Sequence, residues 1–412
     1  RSVFCYNVLM KQLKATFRIW WQKPKKISEI KENREVSFLE LFYDLAYVGI
    51  IYQITHALVD NFTMVGLWQY AALYAMVWFA WVNGTLYHEL HGNNDIRTRF
   101  FTFLQVFALA FIAIFAPTAF GIGAAGFALS YAAFLAIVTF LWWRTGVHDI
   151  EHKPLSTPYT IGFLLTTAMF VGSLFVPTDL MFYMWGGGIG LALLLPVILP
   201  LFRGNVNEEQ LEEAMRIRPS LVERFGLLTI IVLGEVVASV MRGASYHAEI
   251  TMDVIVLTAL GLLIASTMWW SYFDLAARRV PVQKTGKRLL WIYVHLPITM
   301  SIGLVASGLL YLLKHPDTVT DFSRWIIVGA VAVFLFSLTV LIQTLQVRPE
   351  NVVVYKKASR AALLAAIIIV GIGFSSLSIV ATLSLIAFLL VAPVYAAIRF
   401  WIARRHTDLQ HN

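Results

Sequence analysis

The apolar stretch VSFLELFYDLAYVG at residues 36–49 contains two acidic residues, Glu40 and Asp44. Because they lie four residues apart, a helix places both carboxylates on one face, together with Tyr47. Acidic side chains inside a membrane span face partners, water or ions, since a charge at the centre of a span costs about 2.5–3.5 kcal/mol. Two acids one turn apart also repel each other, which favours binding of a proton or a cation. We therefore predict a coupling site for a proton or a cation at Glu40 and Asp44, with Tyr47 on the ion pathway.

Four further ionisable residues lie within apolar runs and extend this prediction. His295 lies about 9 Å from the end of its run, close to the depth of Asp44, and is a candidate proton relay. Glu223 and Arg224 begin another run and would join the coupling site, although a structural salt bridge is the favoured interpretation of this pair. Glu235 is an isolated acid about 21 Å into the same run, and we predict that it binds a substrate or an ion. A structural salt-bridge cluster explains Asp44 and His295 as well as coupling does.

Two histidine-rich segments, HELH at residues 88–91 and HDIEH at residues 148–152, are candidate metal sites. Histidines three or four residues apart with nearby carboxylates can chelate a metal ion. The candidate ligands are His88, His91, His148 and His152. Ordinary interfacial histidines remain the favoured interpretation, and the sequence identifies no cofactor. The stretch GIGAAG follows an apolar run rather than a strand, so it does not indicate a dinucleotide site.

The composition is that of a membrane protein. Of the 412 residues 59% are hydrophobic and only 14% are charged, whereas soluble domains contain about 25% charged residues. The lipid bilayer is therefore the first predicted partner. A net charge of +8 would suggest nucleic-acid binding in a soluble protein. In a membrane protein the cytoplasmic loops collect Lys and Arg, so we predict no nucleic-acid partner.

Twelve apolar runs are long enough to cross a bilayer, which takes about 20 helical residues. The sequence therefore predicts an all-α polytopic membrane protein with about twelve transmembrane helices. The predicted spans are 37–59, 64–86, 100–119, 122–143, 159–177, 180–202, 221–241, 252–274, 289–313, 323–346, 359–376 and 378–402.

The basic residues predict the orientation of these spans. With both termini in the cytoplasm, all but four of the 32 basic residues fall on the cytoplasmic side, as the positive-inside rule requires. The exceptions are Arg224, Arg242, Lys314 and Arg324. Before the first span, residues 8–26 have apolar and basic faces. They predict an interfacial helix that binds anionic lipids of the inner leaflet.

An internal repeat is the second organising feature. SFLELFYDL from Ser37 and SLVERFGLL from Ser220 share the pattern Ser-x-x-Glu-x-Phe-x-x-Leu at the start of two spans. Six spans separate them, so we predict two parallel six-helix halves, as in many secondary transporters. The predicted domains are a cytoplasmic basic segment at 1–36, halves at 37–202 and 221–402, a cytoplasmic linker at 203–220 and a cytoplasmic tail at 403–412.

Four motifs together resemble one known family. VSFLELFYDLAYV, ERFGLLTIIVLGEVV, MWWSYFD and YVHLPITMSIGLVASG resemble the bacterial low-temperature-requirement A (LtrA) family. The resemblance implies a multi-pass protein of the bacterial cytoplasmic membrane that is linked to growth at low temperature. It places the family's polar signature on Glu40, Asp44, Glu223, Arg224, Glu235, Asp274 and His295. Asp274 enters as a candidate pathway residue through this resemblance.

Four functions remain compatible with the sequence. A proton- or cation-coupled secondary transporter of an unidentified small solute best explains twelve spans, parallel halves and buried acids. A proton or cation channel would use the same acids without alternating access. A membrane-embedded metal-dependent enzyme would use the histidine segments on the cytoplasmic side, and a receptor or structural protein would need none of these features. We therefore predict the transporter and regard an enzyme as the weaker alternative.

Overall fold

A computed structural model describes residues 22–26, 29, 34–93, 95–150, 152–198, 212–213, 215–316 and 319–410. Over these residues the chain is built from long α-helices joined by short connections. The twelve helices are α1 (Phe38–Asp60), α2 (Met64–His91), α3 (Ile96–Phe115), α4 (Ala124–His148), α5 (Lys153–Gly172), α6 (Thr178–Ile198), α7 (Pro219–Ser245), α8 (Met252–Leu275), α9 (Thr285–Lys314), α10 (Asp321–Ile342), α11 (Val352–Gly373) and α12 (Ile379–Gln410).

Ten of these helices are long and apolar enough to cross a membrane. The remaining two are α1, which carries Glu40 and Asp44 among its apolar residues, and α11, which has three basic residues between positions 356 and 360. Both still contain more than the roughly 20 residues that a span requires. Polar composition therefore separates α1 and α11 from the other helices, while their lengths do not.

Each predicted span lies on one of the twelve helices, so the predicted all-helical class is confirmed. This prediction depends on the length and apolarity of the runs. In lipid the backbone N–H and C=O groups must form hydrogen bonds within the protein, and a helix forms them within one segment. The predicted interfacial helix at 8–26 lies almost entirely outside the described residues. Most of the predicted linker at 203–220 also lies outside them.

Polar caps define where several helices begin. Asp95, Thr251 and Thr320 precede α3, α8 and α10, and each side chain accepts a hydrogen bond from the backbone N–H three residues later. Such a cap satisfies one of the N–H groups that have no partner within the helix.

The described residues divide into two units. The first contains those up to Ile50 and those from Phe79 to Met215; the second contains Ile51–Trp78 and the residues from Arg216 onward. In the first unit α4 packs against both α3 and α5, and α5 packs against α6. In the second unit α9 packs against α7 and α10, and α12 packs against α8 and α11. In the most apolar stretch of α9 and of α10, 72% of the residues are buried, compared with 39% in that of α8. The helices α9 and α10 therefore form the centre of the second unit.

The contact between α7 and α9 depends on a missing side chain and generates the first prediction. A Cβ at Gly243 would lie 2.6 Å from the Cβ of Leu313. Gly243→Ala should therefore destabilise the protein by about 1–3 kcal/mol, as overpacking does. The measurement is the thermal unfolding midpoint of the purified protein in detergent.

Gly234→Ala on the same helix is the matched control, because nothing lies within 4 Å of a Cβ at that position. Its midpoint should equal or slightly exceed that of the unmodified protein, since Ala favours a helix by about 0.5–1 kcal/mol over Gly. Equal midpoints for the two variants would contradict the tight α7–α9 contact.

Candidate functional site

The start of α1 is set by a capping box that contains one of the predicted site residues. The backbone N–H and the hydroxyl of Ser37 both donate to Oε2 of Glu40, at 2.9 Å each. In return the backbone N–H of Glu40 donates to Oγ of Ser37 at 3.4 Å. This reciprocal pair is the Ser-x-x-Glu arrangement that satisfies two N–H groups at a helix start. Glu40 is therefore held in the first turn of α1 by its own backbone surroundings.

Arg34 joins Glu40 to a second buried acid, Glu89 near the end of α2. Its guanidinium donates to both carboxylate oxygens of Glu40, at 2.9 and 2.8 Å, and to Oε2 of Glu89 at 2.7 Å. Glu40 is 3% exposed and Glu89 is 4% exposed, so the three charges meet away from bulk solvent. We refer to Arg34, Glu40 and Glu89 as the Arg34 cluster. It ties the segment before α1 to the end of α2 within the first unit.

The guanidinium stays charged in this position. Burial disfavours the charge of Arg34, but hydrogen bonding and charge attraction to Glu40, and then to Glu89, outweigh burial and raise the pKa of Arg34 above its ordinary value. Charge-assisted bonds to carboxylates are the strong class of hydrogen bond in proteins, and the fork of Arg is suited to them. Arg34 is thus a permanent cation shared by two carboxylates.

A small cavity opens beside the Arg34 cluster. Its volume is about 140 Å³, and its lining includes Lys25, Arg34, Glu40, His88 and Asn93. A water molecule takes up about 30 Å³ in the liquid, so the cavity has room for a few waters or a partly hydrated cation. The polar lining gives such an occupant both donors and acceptors.

Asp44 lies one turn beyond Glu40 and is also buried. It is 1% exposed, and its Oδ1 accepts a hydrogen bond from Nε1 of Trp81 on α2 at 2.8 Å. The hydroxyls of Tyr43 and Tyr47 lie 2.8 Å apart on the same helix, and Tyr47 is 1% exposed. The structure therefore places Glu40, Asp44 and Tyr47 in the interior of the first unit.

His295 lies in the second unit with a different set of neighbours. Its Nδ1 is 2.7 Å from the carbonyl oxygen of Trp291, and its Nε2 is 3.0 Å from the hydroxyl of Tyr272. A carbonyl oxygen only accepts, so Nδ1 carries the hydrogen and Nε2 accepts from the tyrosine in the neutral ring. The ring also packs against Phe225 at 4.7 Å between centroids. His295 is therefore a fully bonded core histidine, and its role as a proton relay stays a prediction.

Glu223 and Arg224 do not share an environment. Arg224 is completely buried, whereas Glu223 is exposed and lines a groove on the surface of the second unit. Asp274 is also exposed, and its Oδ2 accepts a hydrogen bond from Nε1 of Trp270 at 2.7 Å. Adjacent residues on a helix point in different directions, about 100° apart. The structure therefore gives these three predicted residues separate surroundings.

Glu235 is not the isolated acid that the sequence analysis expects. Its Oε1 accepts hydrogen bonds from the hydroxyl of Ser239 at 2.8 Å and from the guanidinium of Arg242. The same guanidinium lies over the ring of Tyr52, 4.6 Å from its centroid. Residues four and seven positions after Glu235 share its helix face, so both partners could have been identified from the sequence. The correction makes Glu235 the buried acid of an ion pair with the half-buried Arg242.

The four predicted metal ligands do not form a single site. His88 pairs with the hydroxyl of Thr102 at 3.0 Å, while the rings of His91 and His152 meet edge to face, 4.7 Å between centroids. Among the residues that the structure describes, no three His, Cys, Asp or Glu side chains are placed to hold a metal ion. The metal site stays a prediction, and only His91 and His152 are brought into contact.

The sequence pattern does not identify Arg34, Glu89 or Trp81 as site residues. Glu89 lies within the HELH segment, where the predicted ligands are the histidines. Arg34 precedes the first span and Trp81 lies on another helix, so their pairing with Glu40 and Asp44 depends on the fold. The capping pattern around Glu40 was the available signal that this acid has a structural role.

Comparison with known proteins identifies relatives of unassigned activity. The family model described as Bacterial low temperature requirement A protein (LtrA) matches residues 35–397. An uncharacterized protein of Rhizobium meliloti (strain 1021) is 27% identical over 304 residues, which cover 69% of this chain and 72% of that protein. No solved structure matches the chain. The family match includes Glu40, Asp44 and Glu89.

The bond between Asp44 and Trp81 generates the second prediction. Asp44→Leu leaves the buried indole N–H of Trp81 without this acceptor, which should destabilise the protein by about 1–3 kcal/mol. Asp44→Asn keeps an oxygen at the same position and should retain most of the stability. Thermal unfolding midpoints in detergent compare the two variants. Equal destabilisation by Leu and Asn would contradict a structural role for this hydrogen bond.

The buried His152 generates the third prediction, a dependence of stability on pH. Burial, together with the neighbouring His91, lowers the pKa of His152 from 6.5 to about 3. Between these two pH values the unfolded chain binds a proton at His152 that the folded protein does not bind. The free energy of unfolding should therefore fall as the pH drops through 6.5, by at most about 1.4 kcal/mol per pH unit.

His152→Phe should weaken this dependence while keeping the aromatic contact with Trp142. The measurement is the unfolding midpoint from about pH 7.5 to about pH 5, the range in which this linkage acts. His315→Phe, at an exposed position, is the matched control and should follow the unmodified protein. An unchanged pH dependence in His152→Phe would exclude His152 as its source.

Proposed function

The chain belongs to the bacterial low-temperature-requirement A (LtrA) family, and from this premise we propose that it is a proton- or cation-coupled secondary transporter of a small solute. It is a multi-pass integral membrane protein of that bacterial family. The observation that carries the proposal is the Arg34 cluster, in which carboxylates from two helices share one cation beside a polar cavity. We further propose that this transport supports growth at low temperature, in line with the family's description.

The Arg34 cluster can link a change of charge to a change of structure. Its bonds join the segment before α1 to the end of α2. Protonation of Glu89 would replace a charge-assisted bond by a weaker one and so loosen this link. Glu40 is a poorer candidate for protonation, because its carboxylate also accepts the two capping bonds from Ser37. Coupling at this cluster therefore depends on Glu89, with Glu40 as the fixed partner of Arg34.

Asp44 is suited to gain and lose a proton without losing its position. Its bond to Trp81 comes from a neutral N–H donor to Oδ1. A carboxyl group keeps acceptor capacity in its protonated form, so this bond survives protonation. Asp44 also lies one turn from the Arg34 cluster on α1. We propose that protons or cations pass between the cavity at the cluster and Asp44, with Tyr47 beside the path.

The proposed topology places the Arg34 cluster on the cytoplasmic side. It includes twelve spans, with α1 and α11 crossing the membrane, both termini in the cytoplasm and parallel halves at 37–202 and 221–402. The helix lengths and the distribution of basic residues support it. His295, Glu223 and Arg224 remain proposed coupling residues of the second half. Glu235 and Asp274 remain proposed pathway residues.

Proton flux into liposomes is the fourth prediction. Purified protein is reconstituted with an internal pH-sensitive dye, and a potassium diffusion potential drives protons inward. Flux should reach the level of empty liposomes in Asp44→Asn and should fall strongly in Glu89→Gln, because neither amide takes up a proton at neutral pH. Asp253→Asn, an exposed acid at the start of α8, is the matched control and should keep full flux.

The solute requirement distinguishes a transporter from a channel. Flux that appears or increases only with a particular external solute would support coupled transport. Saturation of flux with that solute would support alternating access. Flux independent of every solute in a screen would favour a proton channel built on the same acids. Undiminished flux in both Asp44→Asn and Glu89→Gln would contradict coupling at these residues.

A further inference from the structure

A groove on the second unit combines an apolar wall with a basic rim. It lies between the first turns of α7, the last turns of α8 with the turn that follows, and the segment leading into α11. Its volume is about 960 Å³, at the upper end of the roughly 300–1,000 Å³ of ligand sites. We refer to it as the basic groove.

The wall of the basic groove is formed by apolar side chains of two membrane-spanning helices. Ile230 on α7 is 46% exposed and Trp269 on α8 is 47% exposed, and Phe273 lies one turn beyond Trp269. Gly226 lies one turn before Ile230 on α7, and a Cβ at Gly226 would be 3.6 Å from the ring of Phe273. Exposed side chains on such helices face hydrocarbon in a bilayer. The wall is therefore suited to an acyl chain.

The rim contains three arginines, Arg278, Arg279 and Arg348. Arg278 is exposed, and the side chain of Arg348 is 84% exposed. One N–H of Arg279 donates to the carbonyl oxygen of Asp274 at 3.0 Å, and its guanidinium lies 4.7 Å from the centroid of the Tyr355 ring. These two contacts hold the side chain of Arg279 in place. The other N–H groups of its guanidinium can donate to a ligand.

Backbone hydrogen bonds hold the two arginine-bearing segments side by side. The N–H of Val282 donates to the carbonyl of Thr344 at 2.8 Å, and the N–H of Gln346 donates to the carbonyl of Val280 at 3.0 Å. These bonds flank an isolated β-bridge between Pro281 and Leu345. The rim is therefore a built feature of the second unit rather than a chance meeting of long side chains.

The position of the groove matches the boundary between hydrocarbon and water. The rim lies where α7 begins and just after α8 ends, and both helices are long and apolar enough to cross a membrane. Trp269 and Trp270 lie in the last two turns of α8, and tryptophan is enriched where spans reach the membrane interface. A ligand in the groove would have its polar part at the rim and its apolar part along the wall.

We propose that the basic groove binds an anionic glycerophospholipid. Its phosphate contacts the guanidinium groups of Arg278, Arg279 and Arg348, which match phosphate geometry and attract anionic lipid. One acyl chain lies along Ile230, Trp269 and Phe273. Glu223 also lines the groove, and its carboxylate accepts hydrogen bonds from hydroxyls of the head group. Three arginines outnumber the two nearby acids, which are Glu223 in the lining and Glu350, whose carboxylate lies 3.9 Å from the guanidinium of Arg348. The surplus of positive charge favours an anionic head group, and Glu223 favours one with hydroxyls, which is the chemistry of phosphatidylglycerol.

Native mass spectrometry of the delipidated protein tests the proposal by titration with phosphatidylglycerol in detergent. The charge variant combines Arg278→Gln, Arg279→Gln and Arg348→Gln. Each basic residue contributes about a fivefold change in affinity for an anionic lipid surface, so the triple variant should bind about a hundredfold more weakly. The matched control combines Arg99→Gln, Lys153→Gln and Lys356→Gln, which are exposed basic residues outside the groove lining. It should bind like the unmodified protein.

A second variant tests the apolar wall without changing charge. Gly226→Leu extends a side chain toward Phe273 into the groove and should weaken phosphatidylglycerol binding, while the unfolding midpoint shows that the variant is folded. Phosphatidylcholine, whose head group is zwitterionic and has no hydroxyl, should bind more weakly than phosphatidylglycerol to the unmodified protein. Inorganic phosphate should not displace the lipid, because it lacks the acyl chain.

Three results would overturn the proposal. Equal loss of phosphatidylglycerol binding in the charge variant and its matched control would show a general charge effect. Unchanged binding in the charge variant and in folded Gly226→Leu would place bound lipid elsewhere. Equal affinity for phosphatidylcholine and phosphatidylglycerol would exclude recognition of an anionic head group.

Discussion

The sharing of one guanidinium by two buried carboxylates is the interaction on which the proposed function depends. A buried carboxylate without a cationic partner is costly, and Arg34 forms an ion pair with both Glu40 and Glu89 at once. The same side chain connects the segment before α1 to the end of α2, so electrostatics and local architecture cannot change separately here. Arg34 also keeps its own charge, since its acidic partners raise its pKa. Any proton gained in this cluster must therefore be gained by a carboxylate.

Three other buried polar side chains, Asp44, Glu235 and His295, also have hydrogen-bond partners from the protein. Asp44 receives an N–H from Trp81, and Glu235 receives donors from Ser239 and Arg242. His295 uses both ring nitrogens. A hydrocarbon surrounding supplies no hydrogen bonds, so each polar group needs partners from the protein. Burial and bonding alone therefore do not separate a coupling residue from a structural one. The separation comes from what each bond requires. The pairing of Arg34 with both oxygens of Glu40 requires a carboxylate, whereas the indole of Trp81 requires only one oxygen acceptor.

The sequence predicted the helices well because length and apolarity are local properties. It predicted the burial of Glu40, Asp44 and Tyr47 for the same reason, since helix periodicity places them on one face. The shared sequence pattern was a poorer guide to the roles of matching residues in the two copies of the predicted repeat. Ser37 and Glu40 form a capping box, but Ser220 and Glu223 have the same spacing inside a helix that already begins at Pro219. A displacement of two residues relative to the helix start turns a cap into a pair inside the helix, so the shared motif does not guarantee a shared role. Partners from another helix, such as Glu89 and Trp81, depend on the packing and had no local signal.

Glu40 and Asp44 differ in what a change of charge would do to their hydrogen bonds. Glu40 accepts two donors from Ser37 and two from Arg34, so its protonation would disturb a helix cap and an ion pair together. Asp44 can be protonated while Oδ1 still accepts from Trp81, so this hydrogen bond does not depend on the charge of Asp44. The proposed coupling uses these two kinds of group: one whose bond does not depend on its charge, and one whose ion pair changes when a proton arrives. In that proposal Asp44 on α1 is the former. Glu89, held by Arg34 beside Glu40 at the end of α2, is the latter.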